Sequence, residues 1–174
     1  MARRSAPEPL YQQLADQLRA AIETMKRTLA GWNVTDFEVQ SMAPTGQTVV
    51  VRAAEDPLIG PVLSFGMAGD AVNLLEDWAH RVPPLTQRDV RLMVRAPRAS
   101  RKLFGYEGLP VVAVSLLEEL LARVAQLKDA HPQIARLELN PVMLSADDLT
   151  VLGARVDLGN PQRRTDSARR TMTR

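Results

Sequence analysis

The segment E-L-N-P-V at residues 138–142 has side-chain types and spacing that could hold a metal ion. It precedes a second short apolar run at residues 149–154. Side chains two residues apart on a strand point to one face, so the Glu138 carboxylate and the Asn140 amide would lie together. Such oxygens suit Mg²⁺. Because Asn-Pro is also common in turns, the same segment is typical of a strand that ends in a turn.

Apolar periodicity and turn residues predict the elements that would position this segment. Apolar residues three or four positions apart predict helices at about 10–30 and 113–130, and Thr86 should cap a third helix that ends near residue 96. Short apolar runs between turn residues predict strands at 37–42, 47–52, 61–65, 72–75, 79–82, 134–139 and 149–154. The short connections favour antiparallel pairing. The predicted fold class is α+β, an antiparallel or mixed sheet covered by helices.

Composition and charge narrow the function classes. The 174 residues include no cysteine, which excludes disulfides and thiolate metal sites and fits a reducing cytoplasm. No apolar run approaches the roughly 20 residues that span a bilayer, so we expect no membrane association. Residues 161–174 carry five arginines against one aspartate, a net +4, whereas the whole chain is +2. The remainder is therefore −2, and nucleic-acid binding is not favoured, since neither a basic face nor many aromatic residues are present.

Four sequence blocks resemble one enzyme family. They are D-P-L-I-G-P-V-L-S-F-G-M-A-G (56–69), A-H-R-V-P-P-L-T (79–86), L-F-G-Y-E-G (103–108) and E-L-N-P (138–141). In this order they resemble the C-terminal part of the ATP-grasp domain of NDP-forming acyl-CoA synthetases, the acetate–CoA ligase family related to the succinyl-CoA synthetase β subunit. They are also similar to bacterial proteins that fuse such a region to a GNAT acetyltransferase. The resemblance implies an ATP-grasp C-terminal subdomain over 10–158, between a disordered lead-in (1–9) and a basic disordered tail (159–174).

The resemblance also implies roles for single residues. Adenine would contact the backbone of the linker strand at Gln40, Ser41 and Met42. A phosphate would contact Arg81. Mg²⁺ would be bound by the Asn140 amide and the nearby Glu138 carboxylate. The family's second metal ligand is an aspartate at the position of Gly153, and glycine has no side chain to offer. His80 and His131 lack the glycine-rich context of the family's phosphoryl-carrying histidine, so we expect structural or surface roles for both.

Two functions stay open at this point. On the family pattern the chain holds about half of an ATP site, because the lysine-bearing first subdomain has no counterpart. We therefore expect Mg-ATP to bind the isolated chain weakly or not at all. The first function is an incomplete acid–CoA ligase whose missing ATP-grasp and CoA-binding subdomains lie on another chain. The second is a non-catalytic regulatory or scaffolding module associated with an acetyltransferase. An exposed subdomain face would favour homo-oligomers in either case.

Overall fold

A long helix and an antiparallel sheet belong to two separate units of the chain. A computed structural model describes residues 8–32, 34, 36–40 and 42–160. The first unit is Met1–Met42 and the second is Ala43–Arg174. The predicted lead-in and tail lie mostly outside the described residues, so their disorder stays a prediction.

The first unit contains helix α1, Glu8–Thr28, which confirms the helix predicted from the apolar spacing. Lys26 and Arg27 lie in its last turn, where cations interact favourably with the helix dipole. The strand predicted at 37–42 is wrong, because the described residues of that segment form no strand. Its Val39 and Met42 side chains are 60% and 93% exposed. Little apolar burial is therefore available to offset the entropy of ordering an extended backbone.

The second unit is built on a six-stranded sheet in which every pair is antiparallel. Its strands are β1 Gln47–Asp56, β2 Gly60–Met67, β3 Ala79–Arg81, β4 Ile134–Leu144, β5 Leu149–Val151 and β6 Ala154–Leu158. They run in the order β3-β2-β1-β4-β5, and β6 also pairs with β4. With the helices below, this sheet confirms the α+β class. The strand predicted at 134–139 is longer in the structure, where β4 continues through Asn140 and Pro141 to Leu144.

The described residues of the second unit also form three helices and two short 3-10 segments. They are α2 Asp70–Leu74, α3 Gln87–Arg95 and α4 Val114–Ala130, with 3-10 segments at Arg98–Phe104 and Tyr106–Gly108. Helix α3 begins at a capping box in which Thr86 and Asp89 bond to each other's backbone, as predicted for Thr86. The strand predicted at 72–75 is wrong and is replaced by α2. On a strand Val72 and Leu74 would share a face, but the first is 6% exposed and the second 84%.

One face of the sheet forms the apolar core. Helix α4 packs on β1 and β2, and α3 packs on α4 and β3. The buried strand residues alternate in sequence and face these helices: Val49, Val51, Ala53, Leu63, Phe65, Leu137 and Leu139. Lys128 of α4 is also buried and pairs with Glu55 of β1. No described helix combines the length and apolar character needed to cross a bilayer.

Candidate functional site

A row of polar side chains crosses the sheet on the face opposite the core. It comprises His80 of β3, Ser64 of β2, Arg52 of β1, Glu138 of β4 and Arg155 of β6, which are neighbours in the strand register. We call these five residues the polar row. Each alternates with residues of the core face, because successive side chains on a strand point to opposite sides. The strand register therefore brings residues from five separate strands into one line.

Glu138 lies at the centre of the hydrogen bonds made around this row. Its Oε1 accepts a hydrogen bond from Nη2 of Arg52 at 3.2 Å and one from Nδ2 of Asn140 at 3.1 Å. The side chains of Arg52 and Glu138 are 37% and 23% exposed. The pairing predicted for Glu138 and Asn140 on one face is thus present. Oε1 of Glu138 therefore already accepts hydrogen bonds from a cation and from an amide.

The protonation of Glu138 reflects this environment. Burial acts to raise the pKa of Glu138, but hydrogen bonds from Asn140 and Arg52, together with the charges of Arg52 and Arg136, outweigh burial. The pKa of this carboxyl therefore lies below its ordinary value of 4.5. Glu138 is a stable carboxylate at neutral pH, held charged by residues of the chain itself.

Trp78 covers the neighbouring part of this face. The guanidinium carbon of Arg52 lies 4.5 Å from the centroid of the Trp78 ring, a cation–π contact. The ring fits because Gly66 lies beneath it, where an added Cβ would come within 3.0 Å of the indole. The Nε of Arg52 is buried and has no hydrogen-bond partner among the described residues. Arg52 is therefore held from two sides, by an indole and by a carboxylate.

Gly153 lies against the backbone of Asn140. The Asn140 N–H donates to the Gly153 carbonyl at 2.9 Å, and the Leu152 N–H donates to the Pro141 carbonyl at 3.0 Å. A Cβ at position 153 would lie 2.3 Å from the Asn140 carbonyl oxygen. At this position the chain has no carboxylate, and its backbone leaves no space for one.

The other predicted site residues do not join this cluster. Arg81 shares the core-side face of β3 with Ala79, and it donates from Nη1 to the His80 carbonyl at 2.7 Å. Gln40 and Met42 belong to the first unit and are exposed, and Ser41 lies outside the described residues. The assignment of these four residues to a nucleotide stays a prediction. His80 contacts Ser64, with 2.8 Å between Nδ1 and Oγ, which fits the structural role expected for it.

Arg52 and Trp78 are the residues that sequence reasoning missed. Arg52 pairs with the Glu138 carboxylate, 86 positions away. The strand register that brings the two together cannot be predicted from the sequence of β1 or of β4 alone. One signal was present, since Arg52 is the single charged residue in the otherwise apolar run 49–54. A cation within an apolar strand indicates which face of the strand is polar, and an opposite charge on the neighbouring strand would stabilise it there.

These side chains fit Mg²⁺ poorly. Mg²⁺ prefers octahedral oxygen ligands, usually one or two carboxylates with waters and substrate phosphates. Here a single carboxylate is engaged by Arg52, its companion is an amide, and position 153 is empty of side-chain oxygen. Within residues 8–160, the masked positions aside, no group of three or more His, Cys, Asp or Glu side chains could hold a metal ion.

Comparison with known proteins shows which proteins this chain is similar to. Residues 11–158 match the family described as the ATP-grasp domain. The chain is similar to acetate–CoA ligase [ADP-forming] I of Archaeoglobus fulgidus, at 36% identity over 121 residues, which are 70% of this chain and 18% of that protein. It is also similar to the acetate–CoA ligase [ADP-forming] I subunit beta of Pyrococcus furiosus, at 32% identity over 127 residues, 73% of this chain and 53% of the subunit.

Solved structures show the same likeness. Apo dinucleotide-forming acetyl-coenzyme A synthetase 1 of Ca. Korarchaeum cryptofilum superposes with a TM-score of 0.71 at 28% identity, covering 79% of this chain and 66% of that one. The complex of that enzyme with coenzyme A and Mg-AMPPCP gives a TM-score of 0.65 at 30% identity, covering 68% and 55%. The chain spans about half the length of the beta subunit that it matches.

Proposed function

We propose, since the chain belongs to the ATP-grasp domain family, that it serves as the ATP-grasp subdomain of an NDP-forming acyl-CoA synthetase-like protein and does not ligate acid to CoA by itself. The chain corresponds to the ATP-grasp region of NDP-forming acetyl-CoA synthetase-like proteins. In a complete enzyme, this region would act with further subdomains that hold the acid and CoA while ATP is cleaved to ADP and phosphate. Those partners and the acyl substrate lie beyond the described residues.

The Arg52–Glu138 pair is the observation that supports the proposed lack of activity in the isolated chain. Phosphoryl transfer depends on positioning and on cations that neutralise the phosphates. Here Arg52 is paired with Glu138, so the carboxylate predicted to bind Mg²⁺ is already paired with a cation of the neighbouring strand. The steric contact at Gly153 supports the same reading. We therefore infer that Mg-ATP binds the isolated chain weakly or not at all.

The second candidate function is a non-catalytic regulatory or scaffolding module associated with an acetyltransferase. The self-neutralised cluster favours it, because a module without chemistry does not need a free carboxylate at this place. The partner of either candidate would be another chain or another part of a longer protein. A coding region beside this one that supplies a lysine-bearing subdomain and a phosphohistidine domain would favour the ligase. A neighbouring acetyltransferase would favour the module.

Self-association follows from the uncovered part of the sheet. Val156 and Leu158 of β6 lie on the core side of the sheet, yet they are 50% and 73% exposed. Apolar surface of this kind tends to become an interface. We propose that this surface forms a homo-oligomer interface or contacts a partner. We also propose a cytoplasmic location for the protein. A monodisperse monomer at high concentration by light scattering would contradict self-association.

Calorimetric titration of the full chain with Mg-ATP tests the proposed function, with Mg²⁺ alone as the reference. We expect no detectable binding at millimolar nucleotide. Micromolar binding would contradict the inactive state and would direct attention to a subunit that completes a ligase.

Two variants separate the cause from general effects of charge. Arg52→Gln removes the cation that occupies Glu138, so we expect it to gain weak Mg²⁺ binding. Arg123→Gln is the matched control, because it removes an exposed arginine that is paired with Glu119 on α4. If the two variants respond alike to Mg²⁺, Arg52 is not what keeps the metal ion away.

A further inference from the structure

A basic pocket lies on the 3-10 segment Arg98–Phe104, apart from the polar row. It has a volume of about 470 Å³ and is lined by Arg98, Ala99, Arg101, Lys102 and Tyr106. None of these residues belongs to the polar row or contacts Glu138 by a hydrogen bond or ion pair. None of the residues predicted to bind a nucleotide lines this pocket.

The 3-10 geometry separates the cations of this segment from its apolar side. Residues three apart on a 3-10 helix lie one above the other. Ser100 and Leu103 are 2% and 0% exposed and turn toward the core. Arg98 and Arg101 form another such pair, and both are exposed. The segment thus packs on one side and presents stacked arginines on another.

The backbone beneath the pocket is held in place by side-chain hydrogen bonds. The Asp77 carboxylate accepts from the Arg98 N–H at 2.7 Å and from the Ala99 N–H at 2.8 Å. The Ser100 hydroxyl donates to the Pro97 carbonyl at 2.6 Å. Because these bonds fix the start of the segment, the arginine side chains project from a defined backbone.

The side chains of Arg98, Arg101 and Lys102 make no ion pair among the described residues, and the carboxylate of Asp77 bonds to the backbone of Arg98 and Ala99. The arginines at 91 and 95 on the preceding helix α3 both pair with Glu118. No described carboxylate comes within ion-pair distance of Arg98, Arg101 or Lys102. Arg98 and Arg101 lie one above the other on the 3-10 segment, so their like charges repel each other. An anion between them would convert this repulsion into attraction.

We propose that this pocket binds a small phosphate-bearing anion carrying at least two negative charges. A guanidinium can meet phosphate oxygens with two parallel hydrogen bonds, and an ammonium acts as an additional point charge. The Tyr106 hydroxyl, which no described residue engages, can donate to a third oxygen. The lining therefore offers several positively charged hydrogen-bond donors and no carboxylate.

The test is calorimetric titration of the full chain with inorganic pyrophosphate in metal-free buffer containing EDTA. Without Mg²⁺, this measurement does not report on metal-dependent nucleotide binding at the polar row. We expect binding, and we expect the double variant Arg98→Gln/Arg101→Gln to weaken it by about tenfold or more, since hydrogen bonds to charged groups are among the stronger ones. The double variant Arg19→Gln/Arg123→Gln is the matched control, because it changes the net charge equally at exposed helix positions.

Each outcome decides the proposal. Retained affinity in the control with loss in the pocket variant supports it. Equal loss in both variants would show a general response to net charge and would overturn it, as would an absence of pyrophosphate binding by the wild-type chain. Amide chemical-shift mapping gives a second readout that does not depend on the variants. Shifts confined to 98–106 are expected, and shifts confined to Arg52, Glu138 and their neighbours would overturn the assignment.

Discussion

Placing an aspartate at position 153 should destabilise the sheet unit without creating a Mg²⁺ site. This substitution would place a carboxylate at the position where the resemblance predicts the family's second metal ligand. An added Cβ would lie 2.3 Å from the Asn140 carbonyl oxygen and 3.2 Å from the carbonyl carbon. Both atoms belong to the backbone of β4, so they cannot move aside as the end of a flexible side chain can. The strand and the 152–153 segment would have to separate.

The size of the effect follows from the contacts at this place. Ordinary van der Waals contact begins at 3.4 Å, so the Cβ and the oxygen must move apart by about 1 Å. Two backbone hydrogen bonds span the same gap, at 2.9 and 3.0 Å, and both would lengthen. Each contributes about 0.5–1.5 kcal/mol, and forcing atoms into a packed site costs about 1–3 kcal/mol. We expect the free energy of unfolding to fall by about 2–6 kcal/mol.

Urea unfolding of Gly153→Asp and Gly153→Ala measures this loss, with and without Mg²⁺. Gly159→Ala is the matched control, because its added Cβ would meet only the Ala135 methyl group, at 3.2 Å, and we expect a loss below about 1 kcal/mol. If Gly153→Ala is as stable as wild type, the steric argument is wrong. If Gly153→Asp becomes more stable on addition of Mg²⁺, the aspartate reaches a metal ion and our account of the site is wrong.

Three further predictions concern the cap of α3, the core and the acid range. Thr86→Ala should lower the free energy of unfolding by about 1 kcal/mol and Thr86→Ser by less, because only the alanine loses the hydroxyl that bonds the Asp89 N–H; equal urea midpoints would contradict this. Leu121→Ala should cost about 2–5 kcal/mol, since Leu121 is fully buried, and a loss below about 1 kcal/mol would contradict that placement. Burial works against the lowered pKa of Glu138, but hydrogen bonds from Asn140 and Arg52 prevail, so its contribution is complete above its ordinary pKa and disappears as the pH falls through the lowered value. In Glu138→Gln the free energy of unfolding should therefore fall less steeply as the pH is lowered through the acid range. An unchanged pH dependence in urea unfolding would count against the pair.

Local signals in the sequence were sufficient for much of the fold. The apolar stripes gave α1 and α4, and the Thr86 cap with Asp89 gave the start of α3, because each depends on residues a few positions apart. The run 72–75 was misread because a short apolar stretch fits either a strand or a helix. The segment 37–42 was misread because strand propensity expresses packing that those residues do not obtain.

The candidate site was predictable only in part. Glu138 and Asn140 were placed together correctly, since their spacing of two needs nothing but an extended backbone. Arg52 and Trp78 were missed, because a register between distant strands decides which residues meet. The contact of Gly153 with Asn140 was also invisible, because it joins backbone atoms and not side chains.

The Arg52–Glu138 pair also fixes how the sheet responds to its surroundings. A ligand stabilises a fold according to its free concentration relative to its dissociation constant. A cation carried by the chain has no such concentration, so it is neither diluted nor removed by a chelator. The stability contributed around Glu138 is therefore independent of the magnesium and nucleotide pools. The sheet therefore keeps the contribution of this ion pair at any free concentration of magnesium or nucleotide.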